Sequence, residues 1–470
     1  EGYGPSVESF KHFIKNQVKL IFTVDCGTLS FEAIEFAKSN YVDVIVLDHH
    51  QSEIKLPSAF SIVNPNRIDD KSKLEYLCAA GVSFMFLISL NKELRSIDWF
   101  KKNSINEPNL LNYLDLVSLG TICDVVPLVG LNRALVKQGL KVLKFKKNIG
   151  IKTLLDICKI ENKPTTYDLG YVLGPRINAG GRVGKCSHGA NLLLNKDPKN
   201  AFQLAMELES YNNERKLLEK NLLEEVLNSN TDISDPVLIF AGKNWHEGII
   251  GIIASRVKEK YNKPVVIISV NGDIGKASAR SVFGFDIGTN IIRAVQNGIL
   301  LKGGGHKMAA GFTIDKSKIL QFKKFINENF KKINIKIFEE KKIFFDSTIS
   351  PSAINLDFYN KVENLAPFGP GNSEPKFIVN NLRTINSKIV GEKHIKSILL
   401  GEDGSNIKTI AFNAADSDIG PYLLKKNNKN FNIVGKLSLN EWKGQKNVEF
   451  IIDDISVNKK LKNEVPSSIG

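Results

Sequence analysis

Four residues with metal-binding side chains follow apolar runs: Asp25 after VKLIFTV, His49 and His50 after VDVIVLD, and Asp124 after LLNYLDLVSLGTIC. Carboxylates and imidazoles together make a mixed oxygen and nitrogen donor set. Such a set suits Mn²⁺ or Mg²⁺, whereas thiolate-rich sets select zinc. Two such cations close together can activate a water and stabilise the leaving oxygen of a phosphodiester. That chemistry needs a bridging carboxylate, a part either Asp25 or Asp124 could play. Taken singly, each residue has a plainer use, since an Asp ending a strand ordinarily caps a turn or helix. A tandem His-His behind an apolar strand fits that use poorly, because two rings beside a core need partners.

The elements that must position these residues are legible. Residues 18–26 and 42–49 read as strands and residues 29–40 as the helix between them, a βαβ unit of a parallel sheet. Ligands bind beyond the carboxyl ends of such strands, and Asp25, Asp48, His49 and His50 sit there. The spacing therefore predicts one site at the ends of adjacent parallel strands, with Asp124 joining it. A helix is expected over 79–92, helical Lys-rich sequence over 133–165, and a long amphipathic helix over 198–228. Asp235-Pro236 then breaks the helix and opens a second α/β segment. In it, GIIGIIASRVKEKY reads as a helix, PVVIISV as a strand, GGGHKMAAGFTI as a glycine-rich turn running into a strand, and 316–332 as a basic amphipathic helix. From 341 the alternating short runs predict a small all-β barrel or sandwich. The expected boundaries are 1–140, a helical connector at 141–233, 234–335, 341–458 and a loose tail at 459–470.

Composition narrows the class. The 470 residues are 42% apolar and 24% charged, as in globular chains, and the length predicts about three domains. No run of about 18 apolar residues predicts a membrane span, and no membrane partner is expected. Five scattered cysteines without a C-x-x-C pair speak against a disulfide framework or structural zinc and fit a cytoplasmic protein. His246-Glu247 has no second His four residues on, so it is read as a helix cap rather than a zinc motif. The net charge of +14 favours a polyanionic partner, since neutralised phosphates release counterions, although a Lys-rich solvated surface gives the same balance.

VDCG at 24–27, LDHH at 47–50 and GTICDVVPL at 120–128 resemble, in order and spacing, the second to fourth motifs of the DHH phosphoesterases. LGPRINAGGRVG at 173–184, WHEGIIGIIASR at 245–256, GKASARS at 275–281, GGGHKMAAG at 303–311 and LAPFGPGNSEPKF at 365–377 resemble the RecJ-type single-strand exonucleases within them. The resemblance runs over nearly the whole chain. It implies a DHH domain at 1–140, a DHH-associated substrate-binding domain at 234–335 and an OB-type barrel at 341–458. It implies that Asp25, His49 and Asp124 bind Mn²⁺ or Mg²⁺, two ions in the complete protein, that His50 holds the scissile phosphate, and that Asp48 supports the histidines. Arg176 and Arg182 lie among glycines where guanidiniums could meet a nucleic-acid strand. Ser278 and Arg280 are candidates to grip a terminal nucleotide or its 5′-phosphate. Gly304 and Gly305 offer backbone amides to an anion, and His306 can donate to a phosphate. Phe368, Lys396, Lys393, Trp442 and Lys443 are candidate contacts of the barrel, through stacking and charge.

The implied activity is metal-dependent hydrolysis of single-stranded DNA from the 5′ end, in repair and recombination, by a monomer working with a helicase and a single-strand-binding protein. The strand is expected to thread between two lobes. Two other readings compete: a phosphodiesterase for short oligonucleotides or cyclic dinucleotides, and a non-catalytic nucleic-acid-binding relative. The long segment after the glycine-rich motif disfavours the first, and the retained Asp25, His49, His50, Asp124 and His306 disfavour the second. The resemblance also implies an Asp-x-Asp motif on an earlier strand, and the chain opens on Glu1-Gly2-Tyr3-Gly4 without it or an initiator Met. The expectation is a truncated, weakly active or inactive polypeptide.

Overall fold

Strand β1 (Leu20–Val24) pairs in parallel with β2 (Asp43–Leu47), from Leu20 opposite Asp43 to Val24 opposite Leu47, and β2 pairs in parallel with β3 (Ser61–Val63). The helix Phe31–Ser39 makes the crossover and buries Ala33, Ile34 and Ala37 against Ile21, Val44 and Val46, the inward residues of the strands. This computed structural model describes residues 4–229, 232–333, 342–424, 430–442 and 444–456. The chain divides into two compact units, one of Glu1–Val142 with Lys342–Gly470 and one of Leu143–Lys341. The loose tail expected at 459–470 lies outside the described residues.

In the first unit the helices Ala79–Ser96 and Leu114–Cys123 pack beside the parallel sheet. Leu114–Cys123 corrects one expectation: Asp124 does not end a strand but caps this helix, its N–H donating to Gly120 O at 2.9 Å. LDLVSLGTIC is apolar on nearly every side, and a fully buried helix cannot be told from a buried strand by periodicity.

The same unit contains the barrel. Strands β10 (Phe377–Val390), β11 (His394–Leu400), β12 (Asn406–Ala411), β14 (Gln445–Ser456) and β13 (Phe431–Trp442) pair in that order, and β13 returns to β10, closing the ring. The two-residue β9 (Ser347–Thr348) adds to β10 in parallel. Alternation sets the inside: Ile395, Ser397 and Leu399 of β11 are buried, and the core includes Phe377, Leu382, Ile407, Phe431, Leu437 and Phe450. Closure removes the unpaired edges of an open sheet. Leading into the barrel, residues 365–372 dock on the loop after Asp124. Leu128 N–H donates to Pro370 O at 2.6 Å, and Arg133 Nη2 donates to Leu365 O at 2.6 Å.

The second unit joins a helical segment to a five-stranded sheet. Its 30-residue helix Pro198–Leu227 starts with Pro at the first position, where its missing N–H costs nothing, and the Asp197 carboxylate accepts from Lys199 and Asn200 N–H. The sheet runs β4 (Leu238–Lys243), β5 (Val265–Asn271), β6 (Ile274–Arg280), β8 (Ala309–Asp315), β7 (Lys302–His306); β4 and β5 are parallel and the other pairings antiparallel. One face packs on the helices Ile287–Gln296 and Ile319–Lys332 through Val266, Ile268, Ala277, Ala279, Phe312 and Ile314. The helix Glu247–Tyr261 covers only part of the other face, over Leu238, Phe240, Val265 and Ile267. The stretch expected as a glycine-rich turn is itself a strand, since Gly303 to Gly305 lie within β7. Two of the glycines serve close packing: a Cβ on Gly303 would stand 2.6 Å from Phe312 Cβ and 2.8 Å from Ile291 Cγ2, and one on Gly305 2.4 Å from Ala309 O, whereas Gly304 faces open space.

Candidate metal centre and anion cleft

The chain turns sharply after β1. Asp25 has φ +62° and Gly27 φ +117°, and a Cβ on Gly27 would lie 2.5 Å from Thr23 Oγ1, so glycine is demanded there. Asp25 N–H donates to Leu47 O at 3.0 Å, which joins the ends of β1 and β2. His49 Nε2 consequently lies 3.2 Å from Asp25 Oδ1 and 3.5 Å from Asp124 Oδ2, and ligand atoms of Asp25, His49 and His50 gather within 4.8 Å of one another. The His49 ring is mostly covered, whereas both carboxylates are open to solvent.

Asp48 organises the pair. Its buried carboxylate accepts from Thr28 N–H at 3.0 Å, His49 N–H at 2.8 Å, His50 N–H at 3.2 Å and His50 Nδ1 at 2.7 Å. Burial alone would raise its pKa, but the hydrogen bonds from Thr28, His50 and His49 outweigh it and bring the group down to about 2. A carboxylate accepting from Nδ1 sets the His50 ring with Nε2 directed away from Asp48. The His49 imidazole is pushed up, first by its hydrogen bond to Asp25 and then, against burial, by the charges of Asp124, Asp25 and Asp48. Burial raises Asp124, as does Asp25, while His49 and His50 lower it.

Two asparagines that sequence reasoning missed complete the support. Buried Asn64 Nδ2 donates to Thr28 Oγ1 and His50 O, both at 2.8 Å, and Asn66 Nδ2 donates to His49 O at 2.6 Å. The available signal was Asn64-Pro65-Asn66 just past the carboxyl end of β3. The donor set fits a divalent cation: two carboxylates face the His49 imidazole, with a ligand nitrogen of His50 within 4.8 Å of the Asp25 and His49 ligand atoms.

The second unit brings several other candidates into one cleft of about 570 Å³, whose lining includes Arg182, Gly248, Gly251, Lys276, Ser278 and Arg280, with Lys302, Gly303 and Thr313 opposite. Strand register aligns three rows across β6, β8 and β7 on the face whose β6 side Glu247–Tyr261 approaches at Gly251. They are Arg280–Ala309–His306, Ser278–Gly311–Gly304 and Lys276–Thr313–Lys302. Arg280 Nη1 donates to Ser278 Oγ at 3.2 Å and Ala279 O at 2.9 Å, and Arg182 Nη1 donates to Gly248 O at 3.1 Å. Burial lowers the pKa of both guanidiniums, and repulsion adds to it, Arg215 acting on Arg182 and Arg182 on Arg280. Neither has a carboxylate in ion-pair range among the described residues, so an anion between them would relieve the repulsion. His246, as expected, caps Glu247–Tyr261, accepting from Gly248 N–H.

Arg176 stands apart from this cleft. Its guanidinium is paired with Glu209 and donates to Val172 O at 2.8 Å, tying its own short helix to Pro198–Leu227. In the barrel, Lys396 is 3.8 Å from Glu449 and stands opposite Lys388 on the outer face, while half-buried Phe368 packs against the barrel core. Lys443 and the side chain of Trp442 lie outside the described residues.

Three family models match in series: the DHH family N-terminal domain over residues 4–121, the DHHA1 domain over 234–332 and the RecJ OB domain over 345–454. The fold and its metal-suited site therefore define a DHH phosphoesterase with an associated second domain and a barrel. The single-stranded-DNA-specific exonuclease RecJ of Escherichia coli (strain K12) is 34% identical over 97% of this chain, which spans 80% of that protein. RecJ of Bacillus subtilis (strain 168) is 28% identical, and the chain spans 56% of it. A crystal structure of RecJ from Thermus thermophilus in complex with Mn²⁺ superposes with a TM-score of 0.81 at 27% identity, covering 97% of this chain and 64% of that one. The chain belongs to the RecJ family, whose class of activity is that of a nuclease, the hydrolysis of phosphodiester bonds.

Proposed function

We propose that this chain carries the catalytic and strand-holding parts of a metal-dependent exonuclease that degrades single-stranded DNA from its 5′ end. The observation that carries the reading is the convergence of Asp25, His49 and Asp124 beside the His50–Asp48 pair. Asp25, His49 and Asp124 would hold Mn²⁺ or Mg²⁺, which supplies Lewis-acid polarisation of the phosphodiester and an acidified water. His50, fixed by Asp48 at Nδ1, directs Nε2 at the scissile phosphate. In the second unit, Arg280, Ser278 and Arg182 take the terminal 5′-phosphate, with His306 and the backbone of Gly304 and Gly305 beside it. Lys396 contributes charge on the barrel's outer face, and Phe368 supports the barrel wall.

Family membership supports the finer features: polarity, a role in repair and recombination, a monomer in the cytoplasm, and helicase and single-strand-binding partners. A polypeptide of these 470 residues alone is proposed to turn over slowly, because Asp25, His49 and Asp124 are too few to hold two divalent cations well. The test is release of nucleotides from a 5′-phosphorylated single strand in Mn²⁺, labelled at either end. Preferential loss of the 5′ label that is abolished by chelation and by Asp124→Ala supports the reading. Metal-independent cleavage, or equal attack on a duplex, refutes it.

A further inference from the structure

The metal-suited side chains come from two separate stretches of the first unit, and something must fix the distance between them. Asp25 and His49 follow the paired strands β1 and β2, whereas Asp124 follows the helix Leu114–Cys123. Directly after Asp124 the chain turns at Val125, with φ +59°, into a largely exposed loop. A surface loop does not by itself hold a carboxylate in place.

Residues 75–78 supply the brace. Asn132, fully buried, donates from Nδ2 to two carbonyls, Tyr76 O at 2.6 Å and Pro127 O at 3.0 Å. Leu131 N–H donates to Tyr76 Oη at 3.2 Å, and a Cβ on Gly130 would stand 2.6 Å from the same oxygen. Two residues on, Cys78 Sγ meets Thr121 Oγ1 at 3.5 Å, inside the helix that Asp124 caps. The same segment leads back to the histidines. Asn66 Nδ2, which donates to His49 O at 2.6 Å, also donates to Glu75 O at 3.1 Å. One short stretch of chain is thereby tied to His49 through Asn66 and to both flanks of Asp124, through Thr121 before it and Asn132 after it.

Asn132 makes its tie at a cost. Its Oδ1 is buried and has no hydrogen-bond partner among the described residues. An unpaired buried acceptor is destabilising, so stability alone does not account for the residue. Its two donors do, since a primary amide can offer one N–H to each of two facing carbonyls.

We propose that Asn132 is a positioning residue of the metal centre: by clamping the loop after Asp124 to the Glu75–Tyr76 segment, it holds the Asp124 carboxylate against His49, 3.5 Å away, at a separation one cation can bridge. Asn132 acts through Asp124. The proposal rests on the reading of Asp25, His49 and Asp124 as cation ligands and adds to it what sets their spacing.

The test is a double-mutant cycle on Mn²⁺ affinity, measured by calorimetry on the chelator-stripped whole chain. Asn132→Ala should weaken Mn²⁺ binding about tenfold, the effect of losing a support behind a ligand. Asp124→Ala should weaken it as well, but in an Asn132→Ala background it should add less than about twofold, because the carboxylate it removes is already out of place. A role in stability alone would leave the two losses additive. Tyr76→Phe removes only the acceptor of Leu131 N–H and should lie between wild type and Asn132→Ala; it replaces Asn132→Ala in the cycle if that variant does not fold by circular dichroism. In metal-free protein the amide of Leu131 should exchange about tenfold faster in Asn132→Ala. Undiminished Mn²⁺ affinity in both variants, an Asp124→Ala loss as large in the variants as in the wild type, or unchanged exchange at Leu131 overturns the proposal. A wild-type chain whose Mn²⁺ affinity is indifferent to Asp124→Ala overturns the ligand assignment beneath it, whatever the exchange shows.

Discussion

Replacing Asp48 by Asn removes one negative charge from a buried carboxylate without changing its shape, and so tests the claim that this charge organises the His49–His50 pair. In the wild type the group titrates at about 2 against an ordinary 3.8. That difference corresponds to about 2 kcal/mol of stability carried by the ionised form. The asparagine amide also presents a donor to either Thr28 N–H or the His49 and His50 donors, adding about 1 kcal/mol for an unsatisfied pair. The expected cost is about 3 kcal/mol, or roughly 6–12 °C in Tm for a unit of this size. The sign of its pH dependence follows from the direction of the shift. A depressed carboxylate contributes fully above 3.8 and loses that contribution as pH falls towards 2, so the wild-type advantage should be constant at neutral pH and shrink below about pH 4. Urea unfolding of metal-free wild type and D48N, read by circular dichroism between pH 7 and pH 3, measures it. Hydrogen exchange at the amides of Thr28, His49 and His50 localises the loss. A difference below about 0.5 kcal/mol at pH 7, or one that grows on acidification, refutes the reasoning.

Asn64→Ala leaves Thr28 Oγ1 and His50 O without their donor in a buried setting. It should cost about 2 kcal/mol and weaken Mn²⁺ binding about tenfold or more, measured by urea unfolding and calorimetry. Gly27→Ala must place a Cβ 2.5 Å from Thr23 Oγ1 at a φ of +117°, so it should destabilise the first unit by about 3 kcal/mol in the same unfolding assay. Arg176→Ala strands the half-buried Glu209 and should cost about 2 kcal/mol in thermal stability while leaving oligonucleotide affinity within about twofold. A larger affinity loss would return Arg176 to the strand-binding surface.

Much of the candidate metal centre was legible because Asp25 and His49-His50 follow the strands of a βαβ unit, where local pattern dictates position. Asp124 was legible as a candidate but not in its setting, since LDLVSLGTIC, buried on nearly every side with Asp115, Ser118 and Thr121 among its buried residues, carries no clear period to distinguish helix from strand. Asn64 and Asn66 were hidden by their own chemistry: Asn-Pro-Asn after a strand reads as a turn, and nothing local says that its amides hold the carbonyls of residues 49 and 50. Arg176 was read as available because Glu209 lies 33 residues away on another helix, and such pairings depend on packing that sequence spacing does not encode. Gly303 to Gly305 were read as a turn because glycine marks both tight turns and close backbone approaches, and only the neighbours Phe312 and Ile291 decide which. The barrel, by contrast, announced itself through strict alternation, as in β11.

The docking of residues 365–372 on Leu128 has a consequence for biosynthesis. Residues 143–341 separate, along the chain, the two stretches that this contact joins. A nascent polypeptide therefore emerges with the loop after Asp124 unbraced, and it stays so until roughly 240 further residues have left the ribosome. At roughly 5–20 residues per second that interval lasts tens of seconds at the slow end, ample for the second unit to fold on its own first. The loop that follows Asp124 is thus braced late, by a hydrogen bond from Leu128 to a proline carbonyl that the ribosome supplies only after most of these 470 residues have been made.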